Sequence, residues 1–368
     1  MVDLVNLVFY RGRVGLYALL KALGVGLEDQ VAVQAFTCLA VPEGIMATGA
    51  QPLWVDIEPS GYNMDVQDLK RKITTQTKAI IVQHTYGIPA DMDALRRVAD
   101  EHNIPIIEDC AHTLLSEYRS QRVGTFGVGS FYSFEWGKPV VAGVGGSAMA
   151  NQPELQRMLS HFYTSFVDPP KRVRFKLALQ YYGFRVLYRP AFYWPVRSLF
   201  HLLGESGLIE SNYNPVEGEK APDFGWRMAP ESRRRLAREI SRVQDIAKHS
   251  AWVVEQYRDR IQGDWVVHPK IHSHTKVFFA RYPLRTHNKK RLLELARQKR
   301  VELANWYNTP IHPLQGTALQ AVGYRIGACP NAERRSQEVV TLPVHLRVTQ
   351  REIDKIVSFF SEMDDDFI

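Results

Sequence analysis

From Val31 to Ala150, short runs rich in valine and isoleucine alternate with segments of helical pattern, and this rhythm restricts the fold more than any other feature. The runs are Val31–Val33, Pro52–Ile57, Lys78–His84, Pro105–Cys110 and Gly129–Phe134. Candidate helices lie between them at Val14–Leu23, Met64–Lys72 and Met92–His102, the last with Asp91 placed to cap it. Such alternation is the signature of βαβ units and an α/β fold with a mainly parallel central sheet. In open sheets of this kind ligands bind beyond the carboxyl ends of the strands. The residues to watch are therefore His84, Asp109 and those after Phe134.

A chain of 368 residues with 45 % hydrophobic content can bury one large core and a smaller satellite. Residues 1–160 read as the large domain. Residues 161–222 break the rhythm, interleaving aromatics and prolines with Lys171, Arg172, Arg174, Lys176, Arg185, Arg189 and Arg197, and read as an insertion. From Pro230 a long amphipathic helix is expected, with Leu236, Ile240, Val243 and Ile246 on one face. Lys276–Arg285 then reads as a strand and Lys290–Lys299 as a helix, and Thr349 with Glu352 forms a capping box for a last helix. Residues 223–368 are thus expected to form a small α+β domain.

The net charge of +7, from 46 basic and 39 acidic residues, allows anionic partners without demanding them. Basic residues form no recognition stripe with aromatic platforms, which argues against nucleic acid. The three cysteines, Cys38, Cys110 and Cys329, lie far apart without a CxxC pair, so neither a disulfide framework nor a metal site is expected. The first ten residues have the wrong charge order for a signal peptide, and no apolar run is long enough to span a bilayer. A cytoplasmic protein is the expectation.

Several residues carry chemical promise. Asp109 ends an apolar run, where a buried carboxylate needs a cation as partner, unless it simply caps a following helix. Lys138 follows another run and precedes the glycine-rich stretch Gly143–Gly146, whose small residues would let a bulky group approach, although most lysines are solvated. Ser133 offers a hydroxyl that either binds a phosphate or bonds to nearby backbone. Gly12 and Arg13, ahead of a helix, could set backbone amides against the same phosphate. A lysine, a carboxylate and phosphate donors are what pyridoxal 5′-phosphate (PLP) requires of a protein.

In order along nearly the whole chain, the following stretches resemble the DegT/DnrJ/StrS family of PLP-dependent sugar aminotransferases, which have the fold-type I architecture. They are Gly12–Arg13; Ala35–Thr37; Val55–Ile57 with Asn63–Asp65; Thr77–Ile81; His84–Gly87 with Pro89–Met92; Ile107–His112; Ser133–Phe134 with Gly137–Lys138; Gly145–Gly146; Cys329–Pro330 with Ala332–Glu333; and Leu342–Pro343. The resemblance implies that Lys138 is the Schiff-base lysine and proton carrier, that Asp109 pairs with the pyridine nitrogen, and that His112 stands near the phenolic oxygen. It implies Gly12, Arg13 and Ser133 at the phosphate, Cys38 beside the ring, and His84, Tyr86, Arg227 and His312 on the substrate side. An amino-acid donor, a keto-sugar acceptor and a homodimer are implied as partners. A lysine at position 138 separates the chain from the family branch that removes a sugar hydroxyl with a histidine there. A non-catalytic, regulatory member remains the alternative.

The chain departs from the family in places. Cys38 stands where an aromatic usually stacks on the cofactor ring, so that either a thinner contact suffices or Phe36 takes over. Arg13 replaces a common threonine, and could add charge near phosphate. Gly225 replaces an asparagine that reaches a partner's cofactor, and Pro139 follows the lysine where Asn or His is common. The usual few dozen residues before the first glycine are almost absent. For the aromatic and basic insertion three readings stand: a dimer contact, a substrate lid, or a peripheral membrane contact through 171–200 at the inner face of the membrane.

Overall fold

The structure, a computed structural model, describes residues 7–187 and 221–363. Its strands begin with β1 (Val8–Phe9), β2 (Gln30–Gln34), β3 (Thr37–Cys38), β4 (Gln51–Val55), β5 (Thr77–Gln83) and β6 (Ile106–Asp109). They continue with β7 (Glu117–Tyr118), β8 (Gln121–Arg122), β9 (Gly129–Ser133) and β10 (Gly146–Ala150). A seven-stranded sheet has the order β1-β10-β9-β6-β5-β2-β4. From β9 to β4 every pairing is parallel, while β10 and β1 close the far edge antiparallel. All five expected strands are present in that parallel portion.

The pleat explains why these runs are apolar throughout. Val31, Val33, Ala79, Ile81 and Ile107 enter one core cluster, and the intervening Ala32, Ile80, Val82 and Ile106 enter another. Helices α1 (Gly12–Ala22), α2 (Ala40–Met46) and α5 (Pro153–Tyr163) supply Leu16, Leu19, Ile45 and Leu155 to the first cluster. Helices α3 (Val66–Lys72) and α4 (Met92–His102) supply Leu69, Leu95 and Val98 to the second. In α4 the Asp91 side chain accepts the Ala94 N–H, and Asn103 ends the helix at φ 55°. Burying Leu95 or Val98 stabilises the packing by about 2 kcal/mol each.

Helix α6 (Lys171–Leu187) follows α5, which itself continues past residue 160. The two sides of this segment are tied together at its base: Val167 N–H donates to Gly225 O at 3.0 Å, and Arg227 N–H to Val167 O at 2.8 Å. The proposed membrane-contact stretch 171–200 lies only partly within the described residues.

Beyond residue 229 come α7 (Pro230–Ser241) and α8 (Val243–Arg260), then β11 (Val266–Val267), β12 (Thr275–Lys276), β13 (Tyr282–Thr286) and α9 (Lys289–Gln298). They are followed by β14 (Ile311–His312), α10 (Pro330–Glu338), β15 (Val339–Leu342) and α11 (Gln350–Ser361). β13 lies between β11 and β15 in an antiparallel sheet. The capping box at Thr349 and Glu352 is present.

Two expectations need correction. The single helix from Pro230 is two helices, because the backbone turns at Arg242 (φ −105°, ψ 6°). The single strand Lys276–Arg285 is β12 and β13, separated where the chain is held from other elements. Phe278 N–H donates to Ser116 Oγ at 2.8 Å and Ala280 N–H to Tyr86 O at 3.0 Å, so neither bonds within a sheet.

Candidate active site

Two parallel neighbours, β6 and β9, end side by side, and their last residues are Asp109 and Ser133. Asp109 is buried, and no helix follows it, so the helix-cap reading falls away. Its Oδ1 accepts the Ala111 N–H at 2.9 Å. Burial pushes its carboxyl up to about 6, against the opposing pull of that N–H and the charge of Lys138. Lys138, in the loop after β9, is drawn down by burial, while nearby Cys38, Asp109 and Glu135 act the other way. An amine pushed towards its neutral form beside a carboxylate is suited to attack a carbonyl carbon. Its charge is also felt by His112 and His312. The fold thus gathers Cys38, Asp109, His112 and His312 around one amine.

A second arrangement faces the same strand ends. Helix α1 starts at Gly12, and its N-cap residue, Arg11, gives no side-chain cap. A Cβ on Gly12 would lie 3.2 Å from both Ser133 Cβ and Tyr132 O, and one on Gly146 would come within 2.4 Å of Gly12 N. Glycine at both positions lets the helix start press against the ends of β9 and β10. The Ser133 hydroxyl has no protein hydrogen bond among the described residues. Uncapped first-turn amides beside that hydroxyl suit an oxyanion such as phosphate.

The side chain of Arg13 takes no part in this cradle. Its guanidinium donates to Glu43 at 2.6 Å and Asp223 at 2.7 Å, so the positive charge expected near a phosphate is already neutralised. Arg11 pairs with Glu135 at 2.9 Å and lies 3.5 Å from Asp223. Glu135 O in turn accepts the Lys138 N–H at 3.2 Å, which ties the lysine loop to the start of α1.

Aromatic rings complete the site. His112 Nδ1 accepts the Tyr86 N–H at 3.0 Å, which leaves the ring proton on Nε2, facing Tyr307 Oη at 3.2 Å. Burial holds its pKa well below the usual histidine range, so the imidazole is neutral. The Trp306 ring lies 4.7 Å from His112 and 4.9 Å from Lys138 Nζ, centre to ring and centre to nitrogen respectively. Tyr86, at φ 58°, donates its hydroxyl to Trp306 O at 2.5 Å. Cys38 is partly exposed on β3, opposite His312 on β14. Phe36 does not replace the missing stacking aromatic, because it is fully buried among Tyr62, Tyr86 and Tyr307.

The four substrate-side candidates separate. His84 is fully buried; its Nδ1 accepts the Ala90 N–H at 3.2 Å and its Nε2 donates to Glu108 at 3.1 Å. Glu108 also accepts N–H groups from Gly124, Phe126 and Gly127. His84 is therefore a framework group, and its cluster with Glu108 and Cys110 has its histidine and carboxylate atoms committed to hydrogen bonds. Arg227 donates to Tyr163 O and Thr164 O at 3.2 and 3.3 Å, closing the carboxyl end of α5 rather than facing a substrate. Tyr86 is buried behind Trp306. His312 stays at the site, paired with Asn308 and lowered to about 4 by burial first and then by Lys289 and Lys138.

Sequence reasoning missed Trp306, Tyr307, Glu43 and Asp223. A Trp-Tyr pair six and five residues before His312 was the available signal for the first two; the carboxylates join the site only through the tertiary fold.

Comparisons with known proteins bear on the fold and the family. The model of the DegT/DnrJ/EryC1/StrS aminotransferase family matches residues 7–185 and 226–361. A "Pleiotropic regulatory protein" of Geobacillus stearothermophilus is 28 % identical over 355 residues, 95 % of this chain and 83 % of that protein. A GDP-perosamine synthase of Escherichia coli O157:H7 is 40 % identical over 151 residues, 41 % of this chain and 42 % of that one. Among solved structures, the Streptococcus pneumoniae protein Spr1654 in its PLP form superposes with TM-score 0.77 at 20 % identity, covering 98 % of this chain and 87 % of that one. S. venezuelae DesV in complex with a ketimine intermediate gives TM-score 0.74 at 23 % identity, covering 97 % and 85 %. With a mostly parallel sheet that ends on an amine, a carboxylate and an oxyanion cradle, and a family match along almost all of its described length, the chain belongs to the DegT/DnrJ/EryC1/StrS aminotransferase family.

Proposed function

We propose that this protein uses PLP to move an amino group from an amino acid, glutamate or glutamine, to a keto-sugar carried on a nucleotide. The observation that carries the reading is the shared buried site of Lys138 and Asp109, where each feels the other's charge. The residues fit the cofactor: a buried carboxylate lacks a protein cation bonded to it among the described residues, and an uncapped helix start lies beside a free hydroxyl. PLP, when bound, supplies the electron sink that makes the carbon–hydrogen bond next to nitrogen acidic.

The protein's own groups do the rest. Lys138 Nζ would hold the cofactor covalently and, as a free amine, would take a proton from one carbon and return it to another. Asp109 keeps a proton on the ring nitrogen. Gly12 and Arg13 amides and the Ser133 hydroxyl bind the phosphate. Trp306 and Cys38 would flank the ring, neutral His112 would donate from its Nε2 side, and His312 would face the acceptor sugar. The division into 1–160, 161–222 and 223–368, and assembly as a homodimer, belong to the same proposal.

Support for the acceptor class comes from relatives named GDP-perosamine synthase, "UDP-N-acetyl-3-dehydro-alpha-D-glucosamine 3-aminotranferase" and "L-glutamine:2-deoxy-scyllo-inosose aminotransferase". Each of these matches covers about two fifths of this chain at most. The test is to load purified protein with PLP, reduce it with borohydride and map the modified peptide. Label on Lys138, absent from Lys138→Ala, together with amino transfer from glutamate or glutamine to a keto-sugar nucleotide, is the expected result. A second reading rests on the long match to a protein named as a regulator. Reduction at Lys138 without turnover of any keto-sugar nucleotide favours that one.

A further inference from the structure

Helix α6 is apolar on two opposite faces. Its inner face sets Leu177 with Tyr10, Val144 and Ala229, and stacks the Tyr181 ring 5.8 Å from Trp136. On the outer side Phe175, Leu179, Tyr182 and Val186 are 73, 66, 60 and 59 % exposed. Spacings of four, three and four residues at about 100° per residue bring these four into one narrow stripe. Among the described residues nothing covers this stripe, and an exposed apolar strip on a helix already anchored by its other face is a docking surface.

The charges beside the stripe say what kind of cover. Lys171, Arg172, Lys176 and Arg185 fall on its two flanks, and α6 contains no acidic residue. Arg174 is engaged inward with Glu231 at 2.5 Å. In sequence, no Asp or Glu occurs between Asp168 and Glu205, whereas seven Lys and Arg do. A second copy docked through the same stripe would set positive flank against positive flank, since a two-fold contact repeats the same patch. An anionic lipid surface instead satisfies both features: apolar side chains enter the headgroup boundary, and long basic side chains reach the phosphates. Among the described residues no helix is long and apolar enough to cross a membrane, so such a contact is peripheral.

We propose that the outer face of α6 docks this protein on an anionic lipid bilayer. The contact stands independently of the PLP reading. Because Tyr181 packs on Trp136, two residues before Lys138, docking holds the lysine loop close to the bilayer surface.

The test is co-sedimentation of the full-length protein with phosphatidylcholine vesicles and with vesicles that also contain phosphatidylglycerol. Wild type is expected to sediment with the anionic vesicles only, and to be released as salt rises. Phe175→Ser/Leu179→Ser/Val186→Ser and, separately, Lys171→Glu/Arg172→Glu/Arg185→Glu are expected to lose at least about tenfold in partitioning. Thermal melting and elution volume should not change in either variant, since the substituted side chains are solvent-facing. Absence of wild-type binding to anionic vesicles overturns the proposal, as does undiminished binding by both variants. A wild-type assembly that the serine variant breaks into smaller species also overturns it, in favour of a second copy on the stripe.

Discussion

Lys138 Nζ stands 4.9 Å from the centre of the Trp306 ring, at the distance of a cation–π contact. Position 38, where the family resemblance calls for a stacking ring, holds a cysteine, and Phe36 is enclosed by three tyrosines. Trp306 is the aromatic that reaches the amine. Trp306→Ala is expected to raise the PLP dissociation constant about tenfold, or ~1.4 kcal/mol, while Trp306→Phe keeps most of the affinity. Absorbance titration of cofactor-free protein measures both, and equal affinity in all three proteins would falsify this role.

Asp109 makes a pH-dependent demand on the cofactor-free protein. Its carboxyl rises from 3.8 to about 6 on folding, so between those values the native state holds a proton that the unfolded chain has lost. Stability therefore falls as pH climbs through this window, and by pH 7 the deficit is about 3 kcal/mol. Cofactor-free Asp109→Asn should melt higher than wild type at pH 7 and equal it below pH 4. Adding PLP should reverse the order at pH 7, because only the carboxylate gains a charged partner. Calorimetry across this pH range reads both effects.

His112 joins Tyr86 N–H to Tyr307 Oη through its two ring nitrogens. Leucine there leaves a buried N–H without an acceptor, and His112→Leu should lose about 2 kcal/mol in urea denaturation. Glutamine offers one acceptor and one donor, so His112→Gln should lose under half as much.

One carboxylate, Asp223, serves two buried guanidiniums. Asp223→Ala takes from Arg11 and Arg13 the carboxylate they share, leaving Glu135 and Glu43 in place, at a cost of about 3 kcal/mol. The lysine loop should loosen as well, since Arg11 holds Glu135 within it. Faster amide exchange at 135–138 in this variant is the measurement, and unchanged exchange would show that the loop is fixed by other contacts.

The parallel strands were legible because burial on both faces forces an unbroken apolar run, and a run of that kind survives in sequence whatever its neighbours are. Asp109 was legible for the related reason that an acid has no place at the end of such a run without a partner. Arg227 and His84 misled because sequence shows a charge or an imidazole but not its partner: a helix end took one and Glu108 took the other. Trp306 carried only a local signal, its place six residues before His312, since nearly two hundred residues separate it from His112 and only the packing of the two parts of the chain brings them together.

The hydrogen bonds that Val167 makes with Gly225 and Arg227 close the neck of everything between them. A stem sealed at its base lets the length of chain beyond α6 vary while both ends stay fixed against β1 and α5 and α6 itself stays seated on Tyr10, Val144 and Ala229.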